Sequence, residues 1–290
     1  MWILLALFSA VLAATRRTQE KRLTAHLNHF TIAFSTQLLS LPFIGIALLW
    51  HGMLLNPFHL SPRFWLPLII TSIGFYPLNA FLYLQAIKGS EISSVLPIQS
   101  LWPVLSLIPA WLTLGEIPSL FGFFGILITV SGVYALGLKG RALHHPWQPF
   151  REDKASRYML LAVMLVTAAG VLDKIAIPAS DAIYYSFAST VGAVLALLVT
   201  LCILKINEFR EVSRLIPELA KIGSLQGASY TTYLMAIGLG PLAYVASIRS
   251  SNVLIGSVLG IIFLHERFTK AKFISFCLIT VGSALLAFNY

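Results

Sequence analysis

The stretch LTLGEIP, residues 112–118, closes a run that has carried no charge since Glu91, and FLHERF, residues 263–268, closes another with Glu266. The two glutamates lie 150 positions apart, and that spacing organises the chain. Compared at this offset without gaps, residues 83–136 and 233–286 are identical at Tyr83, Leu84, Ala86, Ile87, Val95, Ile98, Ser100, Leu114, Glu116, Phe123, Gly132 and Leu136, twelve of fifty-four positions. Apolar sequence matches itself by composition, but Glu and Tyr are scarce here, and one frame aligns both with the ends of apolar runs. The chain therefore reads as two related halves, residues 1–138 and 158–290, joined by a polar linker, residues 139–157.

Of the 290 residues 58% are hydrophobic and 11% charged, and the mean hydropathy is +0.84. Soluble domains are not so apolar, so the expected surroundings are a lipid bilayer. The net charge of +9 comes from basic residues in short stretches between apolar runs. Placed there, they act as topology signals, and no nucleic-acid motif accompanies them. Cys202 and Cys277 each lie within an apolar run and read as buried thiols rather than a disulfide or a metal pair. No cofactor and no metal site is expected.

A bilayer core asks for about 20 apolar residues per helix, and the chain supplies ten such stretches: 2–22, 30–50, 64–87, 92–114, 119–138, 158–177, 182–204, 219–239, 242–264 and 271–288. The first could be taken for a secretory signal, but its basic residues, Arg16, Arg17, Lys21 and Arg22, follow the apolar run, so a retained helix is expected. The eighth carries Lys221, Gln226, Ser229, Tyr230, Thr231, Thr232 and Tyr233, a polarity that calls for contact with protein or a water-filled cavity. Between helices 7 and 8, KINEFREVSRLI (205–216) spaces Ile206, Phe209, Val212 and Leu215 three apart and predicts a short interfacial helix. The fold class is thus an all-α integral membrane protein of ten transmembrane helices.

Because five helices per half is odd, the second half must cross the membrane in the opposite sense to the first, as an inverted repeat. The charges agree: the linker and the loops after helices 1, 3, 7 and 9 hold 17 Lys/Arg, those after helices 2, 4, 6 and 8 hold two, and Arg249 completes the twenty. By the positive-inside rule the linker is cytoplasmic and both termini face outward.

Each half ends in a helix pair, YLQAIKGSEISSVLPIQSLWPVLSLIPAWLTLGE then GFFGILITVSGVYAL, and YLMAIGLGPLAYVASIRSSNVLIGSVLGIIFLHERF then FISFCLITVGSALLAF. A small-residue-rich helix, a terminal Glu and a glycine-bearing helix, repeated twice over nearly the whole chain, resemble the EamA-type drug/metabolite transporter superfamily. The resemblance implies a permease working by alternating access through a central cavity, with members that move amino acids, nucleotide sugars, triose phosphates, choline or drugs, and it favours efflux. It implies a bacterial inner or plasma membrane, and partners limited to the bilayer, a small-molecule substrate and a coupling ion that the sequence does not identify. This chain also resembles family members in placing acid beside base at the end of the first helix of each half, Glu20-Lys21 and Asp173-Lys174. It departs from the four-helix multidrug proteins in having no carboxylate mid-membrane in its first helix.

Glu116 and Glu266 each precede an expected helix start, at Pro118-Ser119 and at Thr269, where a carboxylate meets free N–H groups, so both read as structural caps. Proton carriage is the other reading, and terminal placement asks less desolvation than a mid-membrane coupling site would. Tyr76, Asn79 and Tyr83 share one face of helix 3, and the 150-residue shift takes them to Gln226, Ser229 and Tyr233 of helix 8, beside Tyr230. That matched polar face lines a substrate cavity or simply bonds helix to helix. Gly122, Gly125, Ser131 and Gly132 on helix 5 and Gly282 and Ser283 on helix 10 fit close helix packing, within the chain or between copies in a homodimer. Pro97, Pro103 and Pro109 should bend helix 4.

Arg249 lies four residues from the midpoint of helix 9, about 6 Å at a rise of roughly 1.5 Å per residue, deeper than any other basic residue. At that depth an arginine faces the bundle. Asn252 continues its face and Gln99 is its counterpart on helix 4, so Arg249, Gln99 and Asn252 join the candidate cavity. An internal ion pair of Arg249 with Asp173 or Glu20 is the competing reading. A membrane enzyme would need acids and histidines gathered at one interface, and the only dense stretch is HHPWQPFRED, where His144 and His145 share no helix face. No catalytic residue is assigned, and a non-transporting membrane subunit is the third class.

Overall fold

The structure, a computed structural model, describes residues 1–24, 26–52, 60–89, 98–99, 101–137, 154–252, 254–255, 258 and 270–288. Among these residues the chain is helical, without strands. The elements are α1 Trp2–Leu23, α2 His29–Trp50, α3 Pro62–Leu68, a π-helical segment Ile69–Phe75, α4 Tyr76–Gly89, α5 Trp102–Leu114, α6 Leu120–Gly137, α7 Lys154–Ala176, a 3₁₀ turn Ile177–Ala179, α8 Ala182–Ile203, α9 Phe209–Arg214, α10 Ile216–Leu239, α11 Leu242–Ser250 and α12 Lys270–Phe288.

Helix ends follow local chemistry. Asn28 accepts the Phe30 N–H at 3.0 Å and starts α2, and Asp181 accepts the Ile183 N–H at 2.7 Å and starts α8. Each cap satisfies an N–H that has no partner inside the helix. At the other end of α5, Gly115 adopts φ +69° and donates to the Trp111 carbonyl at 3.1 Å, a left-handed stop that glycine takes without strain. The α3, π and α4 pieces run on from one another as one rod, with the Tyr76 N–H reaching back five residues to the Thr71 carbonyl.

Among the described residues, four helices are long and apolar enough to cross a membrane: His29–Trp50, Pro62–Ala86, Lys154–Ala179 and Ala182–Ile203. Trp102–Leu114, Leu120–Gly132 and Phe273–Leu286 are apolar but shorter over the described residues. Of the expected spans, the first and eighth, now α1 and α10, fall outside the apolar set because of their polar side chains. For α10 the physical reason is visible: Ser229, Thr231 and Tyr233 are buried and turned inward, so its polarity need not face lipid. The short α9 lies in the 205–216 stretch as expected, with none of its residues buried. Cys202 and Cys277 correct one expectation, since both are exposed on their helices; a thiol is apolar enough to face lipid as readily as a core.

The chain divides into two compact units that draw on both sides of the linker: Met1–Ala80 with Leu172–Leu239, and Phe81–Val171 with Gly240–Tyr290. In the first, α10 packs on α1 and α2, and α2 on α8. A methyl group added at Gly223 would stand 2.9 Å from the Leu39 Cβ and 3.0 Å from the Thr36 carbonyl oxygen, so α10 meets α2 almost backbone to backbone. In the second unit α6 and α12 form the tightest pair. A methyl at Gly132 would meet Leu278 and Ile279 at 2.9 Å, and one at Gly282 would meet the Gly125 carbonyl at 2.7 Å. The small-residue faces of helices 5 and 10 therefore pack against each other within this chain.

Candidate functional site

Asp173 occupies the last turn of α7, within an apolar span, and is 4% exposed. A carboxylate in such surroundings needs donors, and three elements of the first unit supply them. Tyr185, the fourth residue of α8 and fully buried, donates its hydroxyl to Asp173 Oδ1 at 2.8 Å. Tyr230 of α10 donates to Oδ2 at 3.5 Å. Thr71, from the π-helical segment, has its hydroxyl 3.3 Å from that of Tyr185. Among the described residues, every side chain bonded to Asp173 is a hydroxyl.

The outer ring extends the cluster. The Ser189 hydroxyl reaches the Tyr230 oxygen at 3.4 Å, and the Tyr230 and Tyr233 rings stack with centroids 6.4 Å apart. Ser186 and Thr231 join α8 to α10 through hydroxyls 2.8 Å apart. The Tyr76 phenol is bonded by Gln37, itself 3% exposed on α2. Nearer the end of α1, Arg16 and Glu20 approach to 3.5 Å, and both stand close to His29. The first unit thus contains a series of polar side chains inside an otherwise apolar bundle.

The sequence-expected residues are placed as follows. Tyr76, Tyr230 and Tyr233 belong to this polar series; Asn79 and Gln226 are half-buried in the same unit. Tyr83 belongs to the second unit, where it packs on the apolar cluster of Ala86, Ile98, Ala155 and Met159. Ser229 does what the helix-bonding reading required, exchanging hydrogen bonds with Ser9 of α1: Ser9 Oγ donates to the Ser229 carbonyl at 2.7 Å, and Ser229 Oγ to the Ser9 carbonyl at 3.0 Å. Glu20 has Arg16 as its ion-pair partner, and the side chain of Lys21 lies outside what is described. Lys174 is half-buried next to Asp173. Asp173 and Glu20, weighed as ion-pair partners of Arg249, are each engaged inside the first unit.

Arg249, Gln99 and Asn252 are half-buried in the second unit. The Arg249 guanidinium carbon lies 5.8 Å from the centre of the Trp102 ring, a cation–π distance. Glu116 is a cap, but of another helix than expected: its Oε2 accepts the Leu242 N–H at 2.8 Å, at the start of α11. The start of α6 is served instead by Ser119, whose Oγ accepts the Gly122 N–H at 3.0 Å, while the Tyr244 hydroxyl accepts the Ser119 N–H at 3.0 Å. Glu266 and Gly256 lie outside the described residues.

Tyr185, Thr71 and Ser189 were not foreseen from sequence. One signal was available: Asp173 and Tyr185 stand symmetrically, six residues either side of Ala179, which ends the 3₁₀ turn joining α7 to α8.

Helices apolar enough to span a bilayer, holding a buried carboxylate among hydroxyls, define an integral membrane protein with a polar interior. The EamA-like transporter family model matches residues 1–138 and 154–288, and the chain belongs to that family. A solved structure described as "Crystal structure of protein" is similar in fold, with a TM-score of 0.79 over 99% of this chain and 96% of its own, at 15% identity. No curated protein shows significant similarity to the chain. Members of the family are transporters, and this chain is a membrane protein of that type.

Proposed function

We propose that the chain is a secondary transporter of ten transmembrane helices in two inverted five-helix repeats. It moves a small polar or amphipathic metabolite by alternating access, in the export direction, with the linker in the cytoplasm. The observation that carries this reading is the Asp173 cluster. An isolated ionisable group in a membrane helix costs about 2.5–3.5 kcal/mol on translocon scales, and such groups mark substrate or ion pathways. This reading takes Tyr76, Tyr230 and Tyr233, with half-buried Asn79 and Gln226 of the same unit, as a mixed aromatic and polar lining. Such a lining suits a solute with one apolar and one polar end.

A second reading, a lipid-linked or nucleotide-sugar translocator, is favoured by Arg249. Its planar guanidinium against Trp102 suits a phosphate or carboxylate, since the fork bonds both in bidentate fashion. Asn252 and Gln99 supply neutral polar groups in the same unit.

Thermal shifts of the purified protein against amino acids, choline, triose phosphates and nucleotide sugars separate the two, because a ligand that binds only the folded state raises its stability by mass action. Stabilisation by an amino acid or choline supports the metabolite carrier, and stabilisation restricted to nucleotide sugars supports the translocator. Conversion of any of them to product would overturn both.

A further inference from the structure

The atoms around Asp173 hold two complete sets of hydrogen bonds. With the carboxylate charged, Tyr185 donates to Oδ1 at 2.8 Å, Tyr230 donates to Oδ2 at 3.5 Å, and Ser189 donates to the Tyr230 oxygen at 3.4 Å. With a proton on Oδ2 the second limb reverses: Asp173 donates to Tyr230, Tyr230 to Ser189 Oγ, and Ser189 to the Ser186 carbonyl oxygen, 3.2 Å away. Tyr185 keeps donating to Oδ1 throughout, the Thr71 hydroxyl keeps its bond to the carboxyl, and no heavy atom has to move. Hydroxyls make this reversal available because each both donates and accepts, whereas an ammonium or guanidinium only donates.

We propose that Asp173 is a proton-binding site through which the carrier couples solute movement to protons. The inference rests on the carrier reading above. Water on one side of the membrane gives up a proton, which forms one O–H bond at Oδ2 and cancels the carboxylate charge; release to the other side restores it. The titratable groups facing Asp173 from the packed elements are Tyr185 of α8 and Tyr230 of α10, while the π-helical segment presents only Thr71. Tyr233 and Tyr76 stand behind Tyr230, and Lys174 follows Asp173 on its own helix.

Infrared difference spectra of the full chain in liposomes, recorded on acidification, test this without any substrate. The account expects a carboxylic-acid C=O band that is lost in Asp173→Asn, persists in Glu20→Gln and is displaced in Tyr230→Phe, which removes the acceptor of the new O–H. A full-strength band in folded Asp173→Asn would overturn the assignment, as would its absence from the folded parent. Where Asp173→Asn does not fold, the decision falls to Tyr230→Phe, and an undisplaced band there counts against the proposal. Flux of an amino acid or choline into pyranine-filled liposomes then separates the two readings. Flux without proton movement sinks the coupling and leaves the carrier; a titrating Asp173 without flux of any solute sinks the carrier and, with it, the coupling.

Discussion

Tyr185 bears directly on Asp173, because its hydroxyl donates at 2.8 Å to a carboxylate that is 4% exposed. Tyr185→Phe removes a charge-assisted hydrogen bond to a buried carboxylate, at a cost of about 1.5–3 kcal/mol. The melting temperature should fall clearly. Thr71→Val, which removes the hydroxyl bonded to both Tyr185 and the Asp173 carboxyl, should cost about 0.5–1.5 kcal/mol by the same measurement. At Arg249 the test is affinity rather than stability: Arg249→Ala should weaken the ligand found by thermal shift roughly ten- to a hundred-fold, the equivalent of about 1.5–3 kcal/mol, and Arg249→Lys should recover part. Unchanged affinity in a folded Arg249→Ala would remove it from the ligand site. Asp173 was legible as an acid beside a base at a helix end. Its tyrosine partners were not, because sequence periodicity places residues on one helix face and says little about which other helix that face meets.

At the scale of the helix ends, Glu116 shows how a local rule can be right about chemistry and wrong about the partner. The stretch LTLGEIP identified an acid next to free N–H groups, and the nearest in sequence were those of α6. Gly115 turns the chain in the left-handed conformation and Glu116 reaches the Leu242 N–H, 126 residues on, while Ser119 and Tyr244 look after α6. Glu116→Ala should therefore lower stability by about 0.5–2 kcal/mol, the range for a lost N-cap acceptor. Glu116→Gln, whose amide oxygen still accepts, should melt close to the parent; a change in the pH dependence of transport with stability intact would instead make Glu116 a proton carrier. The glycines of helices 5 and 10 were legible as packing residues, and the structure names the partner as the other helix of the pair. Gly282→Leu drives a side chain into the Gly125 carbonyl and should separate α6 from α12, at a cost above the roughly 1–3 kcal/mol of an overpacked core.

For the whole molecule, the membrane class was legible from the apolar composition and the family from the paired helix motifs, and the family match spans residues 1–138 and 154–288. The compact units were not legible, since each gathers helices from either side of the linker. A repeat is a unit of sequence, whereas a bundle is whatever set of helices buries the most surface together. The proposed orientation rests on the 17 basic residues in the linker and odd loops against two in the even loops. A green fluorescent protein fused at the C-terminus should stay dark, and bright fluorescence would invert the orientation. In the proposed carrier, solute moves along a path that depends on Asp173. Counterflow of labelled amino acids, choline, triose phosphates and nucleotide sugars in liposomes carrying the parent or Asp173→Asn tests this. At least one solute should accumulate transiently with the parent, and accumulation should fall severalfold with the folded variant. Equal accumulation with both, or none with a folded parent, would rule the proposed path out.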